Sequence, residues 1–346
     1  MGARASEPTD ELVYVPRGPF SLARTSARFT RLPDPISRVG DGGFARLVPA
    51  GRGLALVRVA QEGPASRARL RVRIHGASAG SEAARAAALR VVERVLGASA
   101  DLRPFVRAHA RDAVLGHALA AHRGLRVAGA FDLFESLVNA VLTQQVNLQF
   151  AYSIRAELAR AYGRSARLDG ESWLAFPAPE PIAAATESEL RGFRLSGAKA
   201  ATLRRIAQAC VDGALAEEQL APLSDDAAIE ALVRWKGIGR WTAEVALIRG
   251  LGRLDVFPAG DLAVLKRLAP TWLGRASSES EVRAFAARWR PFRSLALVYT
   301  FEAMAVQAPQ QREPRSAQAA RSAARSEAKP NVAGGPRPPA ARAPSD

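Results

Sequence analysis

The chain has 346 residues and a formal net charge of +16, with 49 basic side chains, only four of them lysine, against 33 acidic ones. That length allows two domains with cores of their own, and that charge points to a polyanion partner. Cys210 is the only cysteine, so an internal disulfide and a four-cysteine iron–sulfur cluster are both excluded, and the four histidines lack metal-ligand spacing. No signal peptide, membrane-spanning run or basic amphipathic helix with bulky apolar anchors is read, so nucleic acid is expected over a membrane, in the cytoplasm.

In chain order, residues 1–10 are polar and expected to be flexible. From Leu12 to His75 the pattern is strand-like, punctuated by Gly and Pro. Arg69–Ile74 alternates strictly, with Leu70, Val72 and Ile74 inward and Arg69, Arg71 and Arg73 outward, where they face solvent or touch a polyanion. A helix is predicted from Ser81 to about Leu96. From Leu102 onward the chain reads as helical almost throughout, with segments near 131–143, 149–162, 196–211, 224–235, 240–250, 279–290 and 293–304. Residues 307–346 contain no aromatic residue and are rich in Ala, Pro, Gln, Ser and Arg, a composition expected to form a disordered basic tail.

Between two of these helices stands Lys236-Gly237-Ile238-Gly239-Arg240-Trp241-Thr242-Ala243. Glycine alone offers positive φ with no side chain, so such a turn lets another backbone approach. The amides of Gly237, Gly239 and Arg240 open the N-terminus of the next helix, an anion site, and a duplex backbone is its natural ligand.

This string resembles the helix-hairpin-helix motif of the HhH-GPD superfamily of DNA base-excision glycosylases, and within it the AlkA type of 3-methyladenine DNA glycosylase II. Asp255–Asp261, Leu137–Asn147, Gly163, Phe176-Pro177 and Trp289–Ser294 match further landmarks in order, over about residues 101–302. The resemblance implies an α+β fold. A mainly helical HhH-GPD glycosylase core is placed at 101–306, after an N-terminal antiparallel β-sheet domain (TBP-like) at 11–100. It further implies a monomeric, cofactor-free and metal-free hydrolase. Such an enzyme would excise alkylated purines, 3-methyladenine among them, from duplex DNA in base excision repair, at the nucleoid if the cell is bacterial.

A base is cut from its sugar only after it leaves the stack. The resemblance assigns phosphate binding to Gly237, Gly239, Arg240 and Thr242, and the intercalating wedge to Gln145, where the AlkA type has leucine. The base pocket falls to Trp241, Tyr299 and Phe301, whose ring faces attract a cationic base. Asp261 falls on the catalytic aspartate, opposite the oxocarbenium-like charge that builds as the glycosidic bond breaks. Members that also cut the backbone carry a lysine where this chain has Trp241, which implies a monofunctional glycosylase. An oxidised-base glycosylase with lyase activity and a non-catalytic DNA-binding module are the alternatives.

Overall fold

In the computed structural model, which describes residues 9–32, 34–40 and 43–307, the alternating segments pair as antiparallel strands. They are β1 (Thr9–Tyr14), β2 (Ser37–Gly40), β3 (Gly43–Ala50), β4 (Gly53–Glu62) and β5 (Arg69–His75), in the order β1-β5-β4-β3-β2. Thr9 and Asp10 therefore belong to a strand rather than to a loose terminus, and residues 1–8 of that expected segment lie outside the described residues. Likewise Gln307 ends a helix, while 308–346 of the expected basic tail lie outside them.

On β5 the alternation holds, with Leu70, Val72 and Ile74 fully buried. Two of the outward arginines are engaged by the sheet's own carboxylates: Arg71 pairs with Glu11 and Glu62, and Arg73 with Glu11. Helix α1 (Glu82–Arg90) starts at Ser81, whose hydroxyl accepts from the Ala84 amide, and runs into a π turn over Val91–Val95. Its Ala84 and Ala88, with Val91, Val92 and Val95, pack on Val57, Val59, Val72 and Ile74.

The opposite face of the sheet is covered by an element that the sequence reading missed. Within the stretch expected to be helical, β6 (Ser165–Leu168) and β7 (Glu171–Leu174) form a hairpin, and its Leu168 and Trp173 pack on Leu47 and Leu56. The turn residues Asp169 and Gly170 have φ of 52° and 76°, the pair of positive values that an Asp-Gly hairpin turn uses. Arg38 and Arg58 lie over the Trp173 ring at 3.9 and 5.0 Å.

The helical part is built around α2 (Leu133–Thr143), against which α3 (Leu148–Tyr162), α4 (Gly197–Val211) and α6 (Arg240–Gly250) pack; α5 (Asp225–Val233) precedes α6, and α7 (Arg293–Gln307) comes last. Local chemistry starts most of them. Asp132, Asn147, Ser196 and Ser224 each accept from an amide in the first turn of the helix that follows. The described residues of the sheet and of the helices up to Ala303, expected as domains on either side of residue 100, pack within one compact unit. No described helix is long and apolar enough to cross a membrane.

A buried ion network joins the two parts. Glu135, with 2% of its side chain exposed, accepts from Arg46 of β3 at 2.5 Å and from Arg155 of α3 at 2.8 Å. Arg155 also reaches Asp34 at 2.5 Å and the Asn139 amide oxygen at 2.9 Å. Burial by itself raises the Glu135 carboxyl, but the guanidinium groups of Arg46 and Arg155 outweigh it and hold the carboxyl at about 2.

Removing one partner of such a network strands the others. Glu135→Gln is expected to destabilise the fold by about 3–5 kcal/mol near neutral pH, measured by urea unfolding. The folded-state value lies below the ordinary 4.5, so this contribution is complete above pH 4.5 and is lost as pH falls towards 2. The gap between wild type and variant should therefore narrow over that window; a gap that does not change from pH 7 to 3 would contradict the assignment.

Candidate active site and nucleic-acid interface

The two glycines of the hairpin do different work. Gly237 has φ of 96°, and a Cβ there would stand 2.1 Å from the Thr202 hydroxyl of α4, so the fold itself requires glycine. Gly239 has φ of −84°, and a Cβ would meet nothing within 4 Å. Nothing inside the protein demands glycine at 239; the open space is on the outside. Ile238 between them is buried and anchors the turn.

Gly239 is the N-cap of α6 and supplies no side-chain cap. Among the described residues, the amides of Gly239, Arg240, Trp241 and Thr242 find no backbone or side-chain acceptor. Four free donors at the positive end of an 11-residue helix make an anion site. Arg240 borders it, half-exposed and bonded through Nε to Glu244 at 3.1 Å. Thr242 does not join it through its side chain. The residue is 2% exposed, and its hydroxyl accepts from Gln144 Nε2 at 2.9 Å, which leaves the backbone amide as the Thr242 group at the helix end.

On α6, Trp241, Val245 and Arg249 form a half-buried stripe at four-residue spacing. The indole N–H of Trp241 donates to Asp261 Oδ2 at 2.7 Å. Asp261 Oδ1 accepts from the amides of Ala263 at 2.8 Å and Val264 at 3.2 Å. The carboxylate is thus fixed by three N–H groups, half-buried, with an exposed apolar neighbour, Leu262. A carboxylate has about four lone-pair directions, so one remains unclaimed by the protein.

The loop that carries Asp261 is held at both ends. Asp255 is gripped by both Nε and Nη2 of Arg293, at 2.9 and 3.0 Å, an ion pair that Asp261 lacks among the described residues. Arg283 bonds the Phe257 carbonyl at 3.1 Å and pairs with Glu244 at 3.0 Å. Because Glu244 also holds Arg240, a chain of ion pairs runs from the hairpin to the loop of Asp261. Burial raises the Glu244 carboxyl, while Arg283 and Arg240 pull it down.

Two expected pocket residues separate. Tyr299 is fully buried, its ring 5.5 Å from Phe105 and its hydroxyl donating to the Leu125 carbonyl at 3.1 Å. It is a core residue, not a pocket wall. Residues two apart on a helix point about 200° from each other, so Tyr299 and Phe301 could not both face a cleft. Phe301 is the half-buried one of the two. Gln145 is exposed at the turn between α2 and α3, with φ of 53°, an uncommon conformation for a residue with a side chain. Among the described residues, no group of His, Cys, Asp and Glu is placed to hold a metal ion.

The contrast between the glycines is testable by thermal unfolding. Gly237→Ala should cost about 1–3 kcal/mol through backbone strain and the clash with Thr202. Gly239→Ala should leave the melting temperature unchanged. Equal losses would mean that both glycines serve the fold alone.

Comparisons with known proteins place the chain in a family. Residues 138–292 match the model of the HhH-GPD superfamily base excision DNA repair proteins. The chain is 31% identical over 205 residues to the DNA-3-methyladenine glycosylase of Bacillus subtilis, covering 59% of this chain and 68% of that protein. It is 34% identical over 186 residues to DNA-3-methyladenine glycosylase 2 of Escherichia coli, covering 54% of this chain and 62% of that protein. The solved 3-methyladenine DNA-glycosylase of Archaeoglobus fulgidus superposes with a TM-score of 0.72 at 26% identity, over 84% of this chain and 97% of that one. With the glycine hairpin, the uncapped helix and the acid loop in one site, the chain belongs to the HhH-GPD superfamily of base excision DNA repair proteins.

Proposed function

We propose that the chain is a monofunctional DNA glycosylase that hydrolyses the N-glycosidic bond of alkylated purines, of the 3-methyladenine type, in duplex DNA. The observation that carries this reading is the Asp261 carboxylate, fixed by the Trp241 indole and two backbone amides beside a helix end whose amides are free. The names of the curated relatives support the lesion class. In this reading the protein works as a monomer in the cytoplasm, at the nucleoid of a bacterial cell, and the +16 charge serves attraction to DNA.

The mechanism follows from the charges. Free amides from Gly239 to Thr242, with Arg240, take a backbone phosphate next to the lesion. Gln145, exposed on its turn, enters the stack as the base leaves. As the C1′–N bond lengthens, positive charge develops on the sugar, and a fixed carboxylate opposite it stabilises the transition state without reorganising. The lone-pair direction of Asp261 that the protein leaves open faces C1′ or orients the attacking water. A cationic alkylated base departs as a neutral molecule, so no second acid is required. Trp241, Phe301 and Val245 offer the walls of the pocket, and an aromatic face favours a cationic base by about 0.5–2 kcal/mol.

Backbone cleavage would need a primary amine at C1′. Position 241 carries an indole whose N–H is engaged by Asp261. The Lys199 ammonium donates to the carbonyls of Leu142 and Gln144 at 2.9 and 2.8 Å, and burial lowers its pKa. Lys236 precedes the glycine turn and Lys266 is exposed beyond Asp261.

Two expectations test the reading. In single-turnover assays on methylated duplex, with released bases identified by mass spectrometry, Asp261→Asn should be slower by about 100- to 1,000-fold. Trp241→Phe keeps a ring and removes one hydrogen bond to a charged group, so its loss should be smaller, about ten- to a hundredfold. An Asp261→Asn variant at wild-type rate would remove the catalytic assignment.

The second concerns the products, which should be intact strands with abasic sites. Borohydride treatment during turnover should trap no protein–DNA adduct. A robust adduct that disappears in Lys266→Ala or Lys236→Ala would favour the lyase alternative instead.

A further inference from the structure

We propose that Gln144 is a positioning residue that locks the Gln145 turn to the glycine hairpin, so that gripping the backbone and extruding the base act as one unit. This rests on the reading of the hairpin and of Gln145 given above. The Gln144 carboxamide donates both of its hydrogens, one to the Gly237 carbonyl at 3.1 Å and one to the Thr242 hydroxyl at 2.9 Å. One side chain thus spans the turn and the first turn of α6, on both sides of the free amides.

A second element braces the same pair of loops. Lys199, Thr202 and Arg205 lie on one face of α4 at three-residue spacing. Lys199 holds the Leu142 and Gln144 carbonyls, which are left without helical partners at the end of α2. Thr202 backs Gly237, and Arg205 donates to the Lys236 carbonyl at 2.8 Å. The backbone of Gln145 is therefore defined by its neighbours. Gln144 is bonded on one side and Asn147 caps α3 on the other, while Gln145 itself has φ of 53° and makes no hydrogen bond among the described residues. A side chain that enters a base stack from a loose turn would lose part of its effect to ordering that turn; these bonds set the turn beforehand.

The coupling predicts a selective defect. Undamaged duplex reads the hairpin amides, whereas a lesion in a stable pair requires insertion as well, and a lesion in a mismatch requires less of it. In Gln144→Ala, affinity for undamaged duplex should stay within about twofold, and excision from a stable pair should slow about tenfold or more, the effect of losing one or two hydrogen bonds. Excision from a mismatch should slow only about twofold, because the extrusion cost there is smaller. The preference for an abasic-site duplex over an undamaged one should shrink in parallel. Thr242→Val, close in shape, removes one of the two acceptors and should fall between wild type and Gln144→Ala, which separates coupling from misfolding. Equal slowing on both substrates, or none, would overturn the proposal. If the wild-type protein prefers abasic-site duplex but releases no alkylated base, the glycosylase reading fails while the binding preference still decides the coupling.

Discussion

The buried carboxylate of Glu135 is the constraint on which the arrangement depends. It sits between a guanidinium from the sheet and one from α3, so it fixes the rotation and depth of α2 against both layers at once. Isolated charges at that depth are strongly disfavoured, and only the complete set of Arg46, Glu135, Arg155 and Asp34 makes the burial tolerable. Everything functional hangs on α2 and its packing partners. The Gln145 turn extends its C-terminal end, α6 packs along its side with the hairpin and Trp241, and α4 braces both.

Hydrogen-bond satisfaction divides the site into a filled part and an open part. The protein's own donors and acceptors engage the side chains of Thr242, Gln144 and Asp255. Among the described residues, the amides that start α6, one lone-pair direction of Asp261 and the side chain of Gln145 are left open. In the proposed function, a sugar–phosphate backbone with a flipped nucleotide would supply a complement to each: an anion, a developing cation and a gap in the stack. The chain of Arg240, Glu244 and Arg283 links the start of α6 to the loop that carries Asp261.

Where sequence expectation and structure diverge, the cause is a local turn set within a helical pattern or distant packing that a sequence does not display. The β6–β7 hairpin was legible, since Leu168-Asp169-Gly170-Glu171 contains a strong turn signal that the surrounding helical pattern masked. Helical geometry alone turns Tyr299 and Phe301, two residues apart, away from each other. Thr242 was different. Its type and position suit a phosphate contact, and only packing decides that it is buried, with its hydroxyl accepting from Gln144, 98 residues earlier.

By itself, the sequence determined the caps of the helices, the alternation of the strands, the glycine turn with its acid downstream, and the absence of a lysine at 241. These depend on φ preferences, side-chain-to-backbone bonds within a few residues and residue identity, all of which are local. Tertiary structure decided that Gly237 serves the fold and Gly239 the outside, that the Gln144 side chain is bonded to the hairpin while Gln145 is exposed, and that Trp241 holds Asp261. Each of those outcomes is settled by a partner that arrives from elsewhere in the chain: Thr202 beside Gly237, the hairpin beside Gln144, the acid loop beside Trp241. A side chain's partners follow from which surfaces are brought together, and the burial of apolar faces around α2 is what brings them together.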